Sequence, residues 1–215
     1  MNYVDINDQV VNIAQIVRRC PTITLARALA RAYRDWAGQT HYLRVTINGS
    51  TTADTLQYDL GSDPYLDIIG VCAAQLSETV NGRTSYRNLA PSDSTTWNSN
   101  ADGGAPSVYC YVPEGQIGLN PTPDAVYGLT VTAIVQPKEG AGQVPEEGLV
   151  KWRSGIEAGA LAYLHSIPGM AWTDPRAAAL RQAEFNACVS NARAAVQRAF
   201  NTGSVMARPR QILVR

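Results

Sequence analysis

Apolar residues Ile6, Val10, Ile13 and Val17 follow Asp5 at intervals of three or four, which puts one side chain per turn on one helical face. The stripe predicts a first amphipathic helix ending before Pro21. A second helix follows at once. Thr22 or Thr24 can cap its free N–H groups, Leu25, Leu29, Ala32, Tyr33 and Trp36 form its apolar face, and Gly38 is placed to end it. Arg27, Arg31 and Arg34 occupy another face. From His41 the period falls to two, with Tyr42, Arg44 and Thr46 alternating with Leu43, Val45 and Ile47 up to the turn dipeptide Asn48-Gly49. Further strand-like runs lie at 55–60, 65–72, 107–112, 116–119 and 126–135, separated by Gly-, Pro- and Asn-rich turns. Residues 91–106, rich in Ser, Thr, Asn and Gly, read as a long exposed loop.

The period then returns to that of a helix. After a polar connector, Pro145, Glu146 and Glu147 favour a helix start through fixed φ and the macrodipole. Leu149, Trp152, Ile156, Ala160, Tyr163 and Ile167 carry the stripe to Pro168-Gly169, about 30 Å at 1.5 Å per residue. Gly155 and Gly159 on this helix admit a close neighbour. Thr173 is the expected cap of a fourth helix that opens with Asp174-Pro175, carries Leu180, Phe185, Val189, Val196 and Phe200, and stops at 201–203. The expected fold is therefore α+β. It comprises an antiparallel four-helix bundle from 1–40 and 145–203, a small antiparallel β domain inserted at 41–137, a connector at 138–144, and an extended C-terminal arm at 204–215. Leu29, Trp36, Trp152, Ile156, Phe185 and Val189 are the expected bundle core.

With 45% hydrophobic and 17% charged residues over 215 positions, the composition suits a folded chain with a substantial core. No window approaches the roughly 20 apolar residues of a membrane span, and Asp5 and Asp8 stand where a secretory signal would be basic, so a cytoplasmically made protein is expected. Cys20, Cys72, Cys110 and Cys188 are scattered, without metal or disulfide-scaffold spacing, and read as ordinary thiols. Net charge is zero but unevenly spread. Between residues 45 and 136 nine carboxylates (Asp54, Asp59, Asp63, Asp67, Glu78, Asp93, Asp102, Glu114 and Asp124) face only Arg83 and Arg87, so an acidic middle lies between basic flanks. Such a distribution fits a solvated surface or an assembly with oppositely charged faces.

Candidate chemistry is sparse. His41 and His165 lack metal-ligand spacing, and the sequence holds no nucleophile elbow, phosphate loop, dinucleotide fingerprint or HExxH helix. Asp63 and Asp67 form an acid pair of the kind glycoside hydrolysis uses, but such pairs are common by chance. Neither a catalytic centre nor a cofactor or metal is expected. The arginines are spread over several helices without a nucleic-acid-reading motif, which argues against sequence-specific binding. After Glu184 no carboxylate remains. In the arm, Met206, Ile212, Leu213 and Val214 alternate with Arg208, Pro209, Arg210 and Arg215, a pattern suited to adding a strand to an exposed edge or filling a groove on an anionic neighbour.

Two stretches carry a resemblance: ALARAYRDWAGQTHYLRV, an arginine-rich helix running into a strand, and GLTVTAIVQPKEGAGQVPEEGLVKWRSGIEAGALAYLHSIPGMAWTDPRAAALRQAEF. In the second, a strand ends in a proline connector, a helix with an alanine and glycine face follows, and Trp-Thr-Asp-Pro opens the last helix. In this order of elements the chain resembles the tail tubular adaptor proteins of short-tailed phages. The resemblance implies a structural virion protein of the neck, assembled in the host cytoplasm. It implies a ring of twelve copies between the portal protein and the tail nozzle or tail tube, with duplex DNA passing through as transient cargo. On that basis the arm is expected to meet the portal or a neighbouring copy. The residues around Trp97 have no counterpart in that family. A carbohydrate-binding or fibre-associated β module is the alternative, resting on Tyr58, Tyr65, Tyr86, Trp97, Tyr109 and Tyr111, but such a module needs a self-sufficient β fold, and about half the chain reads as helix.

Overall fold

The computed structural model describes residues 1–92 and 103–200. The chain opens with strand β1 (Tyr3–Asp5), a 3-10 turn at Ile6–Gln9, helix α1 (Val11–Ile16) and helix α2 (Thr22–Thr40). Strands β2 (Arg44–Ser50), β3 (Gln57–Asp59), β4 (Leu66–Val80), β5 (Arg83–Asn88) and β6 (Ala90–Pro91) follow. Then come β7 (Val108–Val112), β8 (Gln116–Asn120), β9 (Gly128–Pro137) and β10 (Gln143–Pro145). Helices α3 (Glu146–Ser166) and α4 (Pro175–Phe200) complete the described chain. One four-stranded sheet has the order β2-β9-β4-β5, a second the order β3-β8-β7-β6, and β1 pairs with β10. All pairings are antiparallel except β6 with β7.

Strand β9 ties the molecule together. Its buried positions alternate strictly, and alternate residues of a strand share a face. Leu129 and Val131 on that face pack with Ile117, Leu119 and Tyr109 of the second sheet, while Val135 joins the core beneath the helices with Leu29, Trp36 and Leu149. One face of one strand thus serves two cores in succession. Helix α3 packs against both α2 and α4, and α2 lies against β9. Where α2 meets the strand, a Cβ at Gly38 would come within 2.7 Å of Oε1 of Gln136, the far end of a flexible side chain that can move aside.

The expected four-helix bundle with a small inserted β domain is overturned. Among the described residues there are four helices, one only six residues long, and ten strands in three sheets. Ile6, Val10, Ile13 and Val17 are all buried, as an apolar stripe demands, but the backbone beneath them is a 3-10 turn and a short helix rather than one long helix. Backbone pairing of β1 with β10 competes with helix formation at that end and brings Tyr3 opposite Pro145. The expected extended arm at 204–215 lies outside the described residues.

Several local expectations are corrected as well. Asn48-Gly49 is not a turn: both residues pair within β2 against Thr130 and Leu129. The hairpin turn is Asn81-Gly82, with φ of 52° and 74°, joining β4 to β5. Such paired positive φ values are what an Asn-Gly turn provides between twisted strands. Helix α2 continues past Gly38 to Thr40, and His41 takes the left-handed cap at φ 54°. It begins after Pro21 with no side-chain cap. Asp174, rather than Thr173, caps α4, accepting hydrogen bonds from the Arg176 and Ala177 amides at 3.0 Å each.

Candidate assembly surfaces

The helical core rests on an aromatic stack. Trp36 is fully buried, with ring centroids 5.7 Å from Tyr33, 5.3 Å from Tyr42 and 6.3 Å from Trp152. Such separations suit tilted aromatic pairs, which add to simple area burial. Leu29, Ile156, Phe185 and Val189 are buried in the same core, and Trp152 packs against it half-exposed, with the Lys151 ammonium 5.2 Å from its ring centre. The Tyr33 hydroxyl donates to the Pro145 carbonyl at 2.7 Å, and burial pushes its phenol well above the ordinary tyrosine range. Arg34 joins the helices to the sheet, 3.2 Å from the Asp67 carboxylate and donating to the Pro137 carbonyl at 3.2 Å.

The acid pair is occupied structurally. Asp63 accepts the Tyr3 hydroxyl at 2.9 Å and the Tyr65 amide at 2.7 Å, while Asp67 is held by Arg34. Burial, then the hydrogen bond to Asp63 and that carboxylate's charge, push the Tyr3 phenol up to about 12. His165 bonds through Nδ1 to the Trp172 carbonyl at 2.8 Å, closing the α3–α4 connection. His41 caps α2. Among the described residues no group of three or more His, Cys, Asp or Glu side chains is placed to hold a metal ion, and all four cysteines are free thiols. No described helix is long and apolar enough to cross a membrane.

The aromatic residues considered for sugar recognition do not gather into a platform among the described residues. Tyr109 is buried. The Tyr58 hydroxyl is spent on the Thr52 and Thr55 carbonyls, Tyr111 donates to the Ile68 carbonyl, and Tyr65 packs on Tyr3 at 5.2 Å. Only Tyr86 of the set stands out from the surface, 69% exposed, while Trp97 lies outside the described residues.

What the surface offers instead is edges and grooves. All six residues of β5 are exposed although the strand is paired on one side with β4. A groove of about 410 Å³ runs between α2 and α4 over Gly159, where Arg31 lies 4.5 Å over the Tyr163 ring. A second, of about 640 Å³, lies between the end of α2, the sheet residues Cys72 and Ile134, and Arg193 of α4. Sequence reasoning missed the β5 edge, although Asn81-Gly82 signalled a hairpin there. The arm residues Met206, Arg208, Pro209, Arg210, Ile212, Leu213, Val214 and Arg215 lie outside the described residues. Compared with known families, residues 1–209 match the model described as SU10 adaptor protein. No curated protein matches the chain.

Proposed function

Because the chain belongs to the SU10 adaptor protein family and is thereby a structural component of a phage virion, we propose that it works as one copy of a ring between portal and tail. The match over residues 1–209 carries this reading, since it spans the helices and all three sheets. The ring contains twelve copies, meets the portal protein on one side and the tail nozzle or tube on the other, and works without catalysis. Its partners are therefore protein surfaces, and duplex DNA is cargo in transit.

A conduit that gripped its cargo would stall ejection. Exposed carboxylates such as Glu114 and Asp124 suit a wall that repels phosphate. Residues 204–215, basic and apolar in alternation, attach the ring to the portal or to a neighbouring copy. Electron micrographs of the negatively stained protein, alone and with purified portal rings, test the proposal. Rings in either sample are expected, and single particles in both overturn it. Tight, salt-sensitive binding of the isolated chain to duplex DNA would overturn the conduit role.

A further inference from the structure

Strand β5 carries two arginines and is exposed along its whole length, while the other arginine of its sheet, Arg44, stands at the start of the opposite edge strand β2. Between residues 45 and 136 the only basic side chains are Arg83 and Arg87, and both are on β5. Facing residues of an antiparallel pair share a side, so Arg83, opposite Val80, and Arg87, opposite Leu76, project from the same face. Glu78, opposite Ser85, is the one carboxylate in the stretch of β4 that pairs with β5; every other charged residue between 45 and 136 is acidic. Among the described residues, β5 bonds to β4 alone, and its six residues, about 20 Å of strand at 3.3 Å per residue, are exposed on both faces. An edge so exposed is a template for a further strand or surface.

The complementary charges lie on the other side of the sandwich. Strand β5 passes to β6 through Leu89 alone, so these two edge strands sit on one side, while β2 runs through 51–56 into β3, the two edge strands of the other. Asp54 in that connection and Asp59 on β3 are both exposed. A basic edge and an acidic edge at opposite sides of one subunit match each other only between two copies, head to tail, which is the interface type that closes rings.

We propose that the β5 edge of one copy, with Arg83, Tyr86 and Arg87, docks on the β2–β3 side of the next copy at Asp54 and Asp59. This rests on the ring reading above and adds the surface that forms it. Asp54 and Asp59 belong to the subunit contact rather than to the channel wall. Charge pairs at such a contact steer and register the partners and weaken with salt.

The test is assembly of the full-length chain, followed by sedimentation with portal rings at low and high salt. The R83E/R87E variant is expected to lose assembly by about tenfold or more in concentration, and the D54K/D59K variant to do the same. An equimolar mixture of the two double variants is charge-matched at every junction of an alternating ring, and the quadruple variant is charge-matched at every junction of its own ring, so assembly is expected to return in both. Circular dichroism on each variant separates lost contact from lost fold. Wild-type-like assembly of R83E/R87E, or no recovery in a folded quadruple variant, overturns this contact and leaves the ring reading standing. Wild-type protein that never assembles overturns both.

Discussion

Trp36 makes three aromatic contacts, one with Tyr33 of its own helix, one with Trp152 that joins α2 to α3 and one with Tyr42 just before the sheet, and it has no exposed surface. Replacing it with alanine is expected to cost about 3–5 kcal/mol, and Phe185→Ala a similar amount, both by denaturant titration. A loss under about 1 kcal/mol for either would contradict the packing described. Tyr3 gives a pH test. Its phenol is held near 12 in the fold against 10.0 ordinarily, so its stabilising bond to Asp63 is complete below about pH 10 and is lost as pH rises through about 12. Tyr3→Phe is expected to be less stable than wild type at neutral pH, with the gap closing between pH 10 and 12; a constant gap in urea midpoints contradicts it. At this scale the sequence is informative where burial and spacing agree: Leu29, Trp36 and Ile156 stand on apolar stripes and in the core. It is silent about Tyr3–Asp63, a contact between residues 60 positions apart that no local pattern marks.

Elements were legible where one period dominates and illegible where pairing decides. Helices α2, α3 and α4 form where their apolar stripes run, although Tyr163 and Leu180, expected on the stripes of α3 and α4, are 38% and 61% exposed. Strand β5, Arg-Thr-Ser-Tyr-Arg-Asn, has no apolar face to alternate because both of its faces meet solvent, so periodicity could not reveal it. The two Asn-Gly dipeptides look alike in sequence, yet the first is held straight by β9 and only the second turns. Strand β1 exists because β10 lies beside it, and its partner is about 140 residues away, which windowed reading cannot see. The α3–α4 contact gives the element-scale prediction. A Cβ at Gly159 would lie 2.6 Å from the Phe185 ring, and one at Gly155 would meet the Cys188 side chain. Gly159→Ala should therefore destabilise by about 1–3 kcal/mol through overpacking, although alanine is the better helix former by about 1 kcal/mol. Increased thermal stability in that variant would contradict the close crossing.

For the whole molecule, the resemblance carried by the order of elements was sounder than the architecture inferred from their periods. The family match spans residues 1–209, while the bundle gave way to helices α2, α3 and α4 packed on one another, with α2 against a sheet that also belongs to a second, sandwiched core. The misreading has a physical cause: amphipathic stripes report that a face is buried but not what covers it, and here β9 covers part of what a bundle would have buried. Deleting residues 204–215 is expected to leave helix content and melting temperature nearly unchanged while abolishing or greatly weakening attachment to portal rings. Wild-type docking of the truncated chain, measured by co-sedimentation, contradicts the role proposed for that segment. The central claim, that this chain closes into a ring beneath a portal, is tested most directly by the native mass of the particle it forms with purified portal rings. The account predicts an added mass of twelve chains of 23.2 kDa; an added mass of one or two chains, or none, contradicts it.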